Sequence, residues 1–86
     1  MGDLAAKALE ACVMALRQGR EAQANHHFAE LMAELPVLLA QSAPARQQQL
    51  AAVIPLLFAA QQRRDLLAIA DLLQFELAPL MTVAHG

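Results

Sequence analysis

The sequence predicts an all-α fold in which four helices form two antiparallel helical hairpins and close into a small bundle. Three observations carry this. Apolar residues make up 58% of the 86-residue chain, against about 45–50% in an average domain. They are mostly Ala and Leu, strong helix formers, while the β-branched and aromatic residues that favour strands are few. The apolar residues also recur at three- and four-residue steps along four segments. Three polar stretches, RQGRE (17–21), SAPAR (42–46) and QQRRD (61–65), separate those segments. The length suits one domain over residues 1–86. A domain this small buries only about 60–65% of its unfolded surface, so its stability margin is thin.

The first helix starts at Asp3, an acid placed to cap free amides and to meet the positive end of the helix dipole. Leu4, Ala8, Leu9, Cys12, Val13 and Leu16 share one face. Gly19 ends the helix, with Arg17 and Arg20 near its negative end. The second helix runs from about Glu21 to Ala40, with Ala24, Phe28, Leu31, Leu35, Leu38 and Leu39 at helical spacing. Pro36 lies inside that pattern and predicts a bend or break near Glu34 and Leu35. In SAPAR, Ser42 or Ala43 precedes the third helix and Pro44 occupies its first turn, where a missing amide costs little. That helix extends to about Arg63 on a stripe of Leu50, Val53, Ile54, Leu57 and Phe58, with a second bend expected at Pro55.

Asp65 is the expected N-cap of the fourth helix, Leu66 to Met81. Leu66, Ile69, Ala70, Leu73, Leu77 and Leu80 form its stripe, and Leu67, Leu72, Phe75 and Met81 widen it almost all round. Pro79 is a third interior proline, at a depth similar to Pro36 and Pro55. The hairpins thus cover 3–41 and 44–81, and 82–86 read as a frayed tail. AELMAELPVLL (29–39) echoes ADLLQFELAPLM (70–81), each after a basic-acidic turn, which fits two similar hairpin units.

Composition excludes several classes of function. The net charge is −2 and the isoelectric point about 5.8. Lys7, Arg17, Arg20, Arg46, Arg63 and Arg64 are scattered, without the basic stripe that nucleic acid requires. A single cysteine rules out an internal disulfide and a multi-cysteine zinc site. MGDLAAKALEA lacks the pattern of a signal peptide. The longest apolar block, LAAVIPLLFAA (50–60), is too short to cross a membrane. The expected location is cytoplasmic.

The candidate chemical groups read as structural. His26 and His27 lie four and three residues before Glu30, so either pair can meet on a helix face. Metal sites usually take three or four protein ligands, with Glu34 and His85 the other candidates, and the paired Glu-x-x-His pattern of di-iron bundles is absent. The expectation is a polar face beside Phe28 and no metal or cofactor, with a metal-dependent activity at His26, His27 and Glu30 as the alternative. Cys12 lies among apolar residues with nothing nearby to activate it. Asp71 and Glu76, five apart on a helix, point to different faces and do not form an acid–base pair. No phosphate-binding loop or nucleophile elbow occurs, so neither catalysis nor a small-molecule substrate is expected.

The apolar excess points instead to a protein partner or self-association. Leu56, Phe58, Leu72, Phe75 and Met81 exceed what a small core needs and form a candidate surface for an amphipathic helix, with Asp71 and Glu76 setting its register. The competing reading places the fourth helix at the centre of the core.

QQRRDLLAIADLLQFELAPLM, taken with AELMAELPVLL, resembles a family of small helical proteins encoded among flagellar genes in many bacteria. The shared pattern is Asp65, Ala70, Asp71, Leu72, Leu73, Phe75, Glu76, Leu77, Pro79 and Leu80. Gln74 stands where the family usually has an acid, and Phe75 where it often has tyrosine. The similarity covers roughly residues 8 to 81, and only the last helix is distinctive. The resemblance implies a cytosolic accessory or chaperone of flagellar or type III export that holds a client's amphipathic helix. Asp71 and Glu76 would then pair with Arg63 and Arg64 or contact a basic partner. The alternative expectation is a homodimeric structural protein without a client.

Overall fold

The computed structural model describes residues 3–83, and among them every regular element is helical. α1 (Asp3–Arg17), α2 (Glu21–Gln41) and α3 (Pro44–Gln62) are followed by a fourth rod in three pieces: α4 (Leu66–Asp71), a π-helical segment (Leu72–Leu77) and α5 (Ala78–Val83). The helix therefore continues two residues into the stretch expected to be tail; 84–86 lie outside the described residues. α1 packs along α2 more extensively than any other two elements pack together, and the fourth rod lies against both α1 and α3. The radius of gyration, 12.0 Å, equals the ~12 Å expected for a compact chain of this length.

Two turns with the same backbone motif join α1 to α2 and α3 to α4. Gly19 has φ +73°. Its amide donates to the Leu16 carbonyl at 3.2 Å, and the Arg20 amide donates to Ala15 at 2.8 Å. This double closure of the last turn is a Schellman motif, and the left-handed residue within it is usually glycine. After α3 the same closure is built on Arg64, with φ +55°. Arg64 donates to Gln61 and Asp65 to Ala60, both at 3.0 Å. The next residue then starts a helix with nearly the same dihedrals in both places: φ −88°, ψ 78° at Arg20 and φ −89°, ψ 85° at Asp65. Asp65 caps α4 as expected, accepting from the Ala68 amide at 3.1 Å. Arg20 provides no side-chain cap.

The α2–α3 connection satisfies freed carbonyls with side chains. Ser42 Oγ donates to Leu38 O and Gln47 Nε2 to Leu39 O, each at 2.6 Å. Arg46 reaches across to the Leu80 carbonyl at 3.3 Å and ties the start of α3 to the end of the chain's last helix.

α2 and α3 run through Pro36 and Pro55 without a break. The departure from α geometry comes in the fourth rod, just before Pro79. There the Ala78 amide donates to Leu73 O, five residues back. Such wide turns occur mostly as short insertions within α-helices. Ile69, Leu73, Leu77 and Met81 are all buried. A row at four-residue steps drifts around a straight α-helix by about 40° per step, and the wide turn offsets that drift. The inward position thus falls on Met81, while Leu80, expected in the stripe, is half-buried.

Leu31, Leu50, Leu57, Leu73, Leu77 and Cys12 are the largest wholly buried side chains, and Ala5, Ala24, Ala60 and Ala70 bring the helices close. Leu4, expected on the inner face of α1, is 70% exposed. Ala5 takes that position, because the small residue suits the close helix contact. No polar or charged residue is buried among the described residues.

Truncating Leu57 to Ala should cost about 2–5 kcal/mol by urea denaturation, as for other buried leucines. Asp65→Ala should destabilise by about 1 kcal/mol, and Arg20→Asp should stabilise by a similar amount, since it puts a cap on matching backbone. An Arg20→Asp variant no more stable than wild type would show that the two turns are not equivalent.

Candidate functional site

A groove of about 530 Å³ runs between α3 and the fourth rod. Leu56, Ala59 and Arg63 recur at three- and four-residue steps along α3 and line one side. Ala68, Asp71, Leu72, Phe75 and Glu76 line the other. Ala59 and Ala68 leave its middle open because they are small. Leu56 is 53% and Phe75 62% exposed, large apolar side chains left in water. Part of this wall is the π-helical segment, which contributes Leu72, Phe75 and Glu76.

The groove brings together Leu56, Asp71, Leu72, Phe75 and Glu76 from the residues singled out in the sequence. Phe58 and Met81 are elsewhere. Phe58 follows Leu56 by two residues, about 200° around the helix, and packs edge-on against Phe28, with ring centroids 6.1 Å apart at 89°. Met81 is 8% exposed and belongs to the core. The competing reading is therefore correct for part of the fourth helix: Leu73 and Leu77 are buried while Phe75 faces out.

The charged rim is paired differently from expectation. Arg17, at the end of α1, donates to Asp71 Oδ1 at 3.3 Å and to Gln74 Oε1 at 2.6 Å. Arg63 lies 3.9 Å from Asp65, and Arg64 lies 3.9 Å from Glu21. Asp71 is thus compensated by a residue 54 positions away, a partner that no local pattern reveals. Glu76 makes no ion pair among the described residues. The rim therefore keeps one uncompensated carboxylate beside exposed apolar surface.

A recess of about 410 Å³ between α1 and α2 is lined by residues that include Lys7, His27, Glu30 and Glu34. His27 Nδ1 is 2.8 Å from Glu30 Oε1, and His26 Nε2 is 3.7 Å from Glu30 Oε2. The two rings stand 5.3 Å apart at 63°. The histidines are accessible, His26 more so than His27, in keeping with the polar face expected there.

Cys12 is wholly buried. Its thiol donates to the Ala24 carbonyl at 3.4 Å, and burial pushes its pKa up to about 11. This is a packing residue, not a nucleophile. No helix among the described residues is long and apolar enough to cross a membrane.

The raised thiol pKa has a definite sign in stability. The unfolded chain loses the proton near pH 9 and the folded chain does not, so the thiol's contribution is intact below pH 9 and is lost between about pH 9 and 11. Denaturation from pH 8 to 11 should show wild type losing more stability than Cys12→Ala, and alkylation of native protein at pH 8 should be slow. Parallel stability curves would contradict this. The chain matches no protein-family model, and neither a curated protein nor a solved structure matches it.

Proposed function

We propose that this chain is a small cytoplasmic protein-binding adaptor, of the flagellar or type III export kind, that captures an amphipathic helix of its partner in the groove between α3 and the fourth rod. It acts by binding, without catalysis or a cofactor. The observation that carries the reading is the pair Leu56 and Phe75, exposed on opposite walls of one apolar groove. From Leu56 to Arg63 the α3 wall spans about 10 Å at 1.5 Å per residue. That is about two helical turns, the reach of anchors at i, i+3 or i+4 and i+7 on a bound helix. Glu76 supplies a charge to meet a Lys or Arg on the partner and set its register, which adds more to specificity than to affinity. Short π-helical insertions are frequent at functional sites, and this one carries Phe75 and Glu76. In this reading the chain is two antiparallel hairpins, 3–41 and 44–81, whose helices bend at Pro36, Pro55 and Pro79.

A second reading is a homodimer closed through the same face. Leu67, 65% exposed on the fourth rod outside the groove, favours it, because it extends the apolar area beyond what one short helix covers.

Phe75→Glu separates the two. In affinity capture from the source cytosol, followed by titration of the purified partner, the variant should lose about 2 kcal/mol or more of binding, as for a central aromatic anchor. Its helical circular dichroism should not change. Undiminished partner binding would sink the adaptor reading. Sedimentation equilibrium showing a wild-type dimer and a monomeric variant, with no partner retained, would favour the homodimer.

A further inference from the structure

We infer that His26, His27 and Glu30 form a binding site for one divalent d-block cation, of the zinc, nickel or copper class, on the outer face of α2. The sequence places both histidines within reach of Glu30; in the structure both meet it at once, one at each carboxylate oxygen. Glu30 is four residues after His26 and three after His27, the separations at which side chains meet on a helix. Its Oε1 lies 2.8 Å from His27 Nδ1 and its Oε2 lies 3.7 Å from His26 Nε2. One donor atom from each of the three residues lies within 4.8 Å of the others.

Zinc bonds imidazole nitrogen and carboxylate oxygen at about 2.0–2.2 Å, so two donors on one tetrahedral ion stand about 3.3–3.5 Å apart. The Glu30–His27 and Glu30–His26 separations bracket that spacing. The widest gap in the trio needs a closure of about 1–1.5 Å, which side-chain rotation supplies, since the His26 side chain is 70% exposed.

The donor set determines the class of ion. Two imidazoles and a carboxylate suit zinc, copper and nickel, whereas calcium and magnesium take oxygen ligands. Three protein ligands leave a position open to water, and the recess that His27 and Glu30 share with Lys7 and Glu34 gives that position room. Glu34 adds negative charge beside the site and Lys7 of α1 opposes it. Cys12 does not compete, being buried within the core. The inference is independent of the groove and of what the groove binds.

The test is calorimetric titration of the full, untagged chain with ZnCl₂. One saturable equivalent is expected, with a thermal midpoint that rises with zinc concentration. His26→Ala, His27→Ala and Glu30→Gln should each weaken binding by about tenfold or more, because changes even to groups behind the ligands cost 10–100-fold at metal sites. His85→Ala should bind as wild type, and MgCl₂ should give no saturable binding. Circular dichroism checks that each variant keeps its helix content, and Glu30→Gln preserves the side chain's size. Absence of saturable zinc binding overturns the inference. So does binding that the three variants leave undiminished, or that His85→Ala removes.

Discussion

Leu73 and Leu77 are wholly buried where the fourth rod lies against both α1 and α3, and the rest of the structure depends on that packing. The extensive α1–α2 contact makes one half of the molecule. The other half joins it through the inward row Ile69, Leu73, Leu77 and Met81 and through the close approach that Ala70 permits. Because a row at four-residue steps drifts on an α-helix, the rod meets both neighbours along its length only with a wider turn. The π-helical segment lies within that row and ends just ahead of Pro79. The same widening places Met81 inside, while Phe75, on the segment's other side, remains in water. Core packing and groove are therefore two faces of one distortion.

Among the described residues the core buries no polar or charged side chain, and the thiol hydrogen bond from Cys12 to the Ala24 carbonyl is a weak one, so little internal hydrogen bonding specifies its register. Specificity has to come from shape and from the helix ends. Here the ends are well defined: two turns of the same motif, a capped α4, and side-chain donors on the last carbonyls of α2. Arg17 spans the halves, reaching Asp71 and Gln74, while Arg46 ties α3 to the last helix within the second half through the Leu80 carbonyl. The exposed Arg17–Asp71 ion pair adds little to stability. Its contribution is positional, since Arg17 neutralises Asp71 and leaves Glu76 as the uncompensated acid on the groove rim. The helix is thus divided by function along its circumference, with one face in the core, one clamped to α1 and one open.

The polar trio on α2 is a different kind of surface. It needs no tertiary contact to assemble, because all three side chains lie within five residues of one helix. The tertiary structure adds the recess against α1. The groove is the opposite case, since neither wall alone is a site.

Composition, periodicity and the three polar stretches determined the all-α class, the positions of the helices and most of the inward residues. These are local properties: helix propensity, capping at Asp65 and the left-handed demand at Gly19 act within a few residues. The exposure of Leu56 and Phe75 could also be anticipated, as more apolar surface than one core requires. Tertiary structure decided the rest. It assigned Phe58 to Phe28 and Met81 to the core, replaced Leu4 with Ala5 on the inner face of α1, and matched Arg17 with Asp71 across the fold. It also carried α2 and α3 unbroken through their prolines and put the irregularity before Pro79. Periodicity assumes a constant 100° per residue, so it cannot foresee a turn that widens to fit its neighbours. Nor can it foresee a charge pair between residues that only folding brings together.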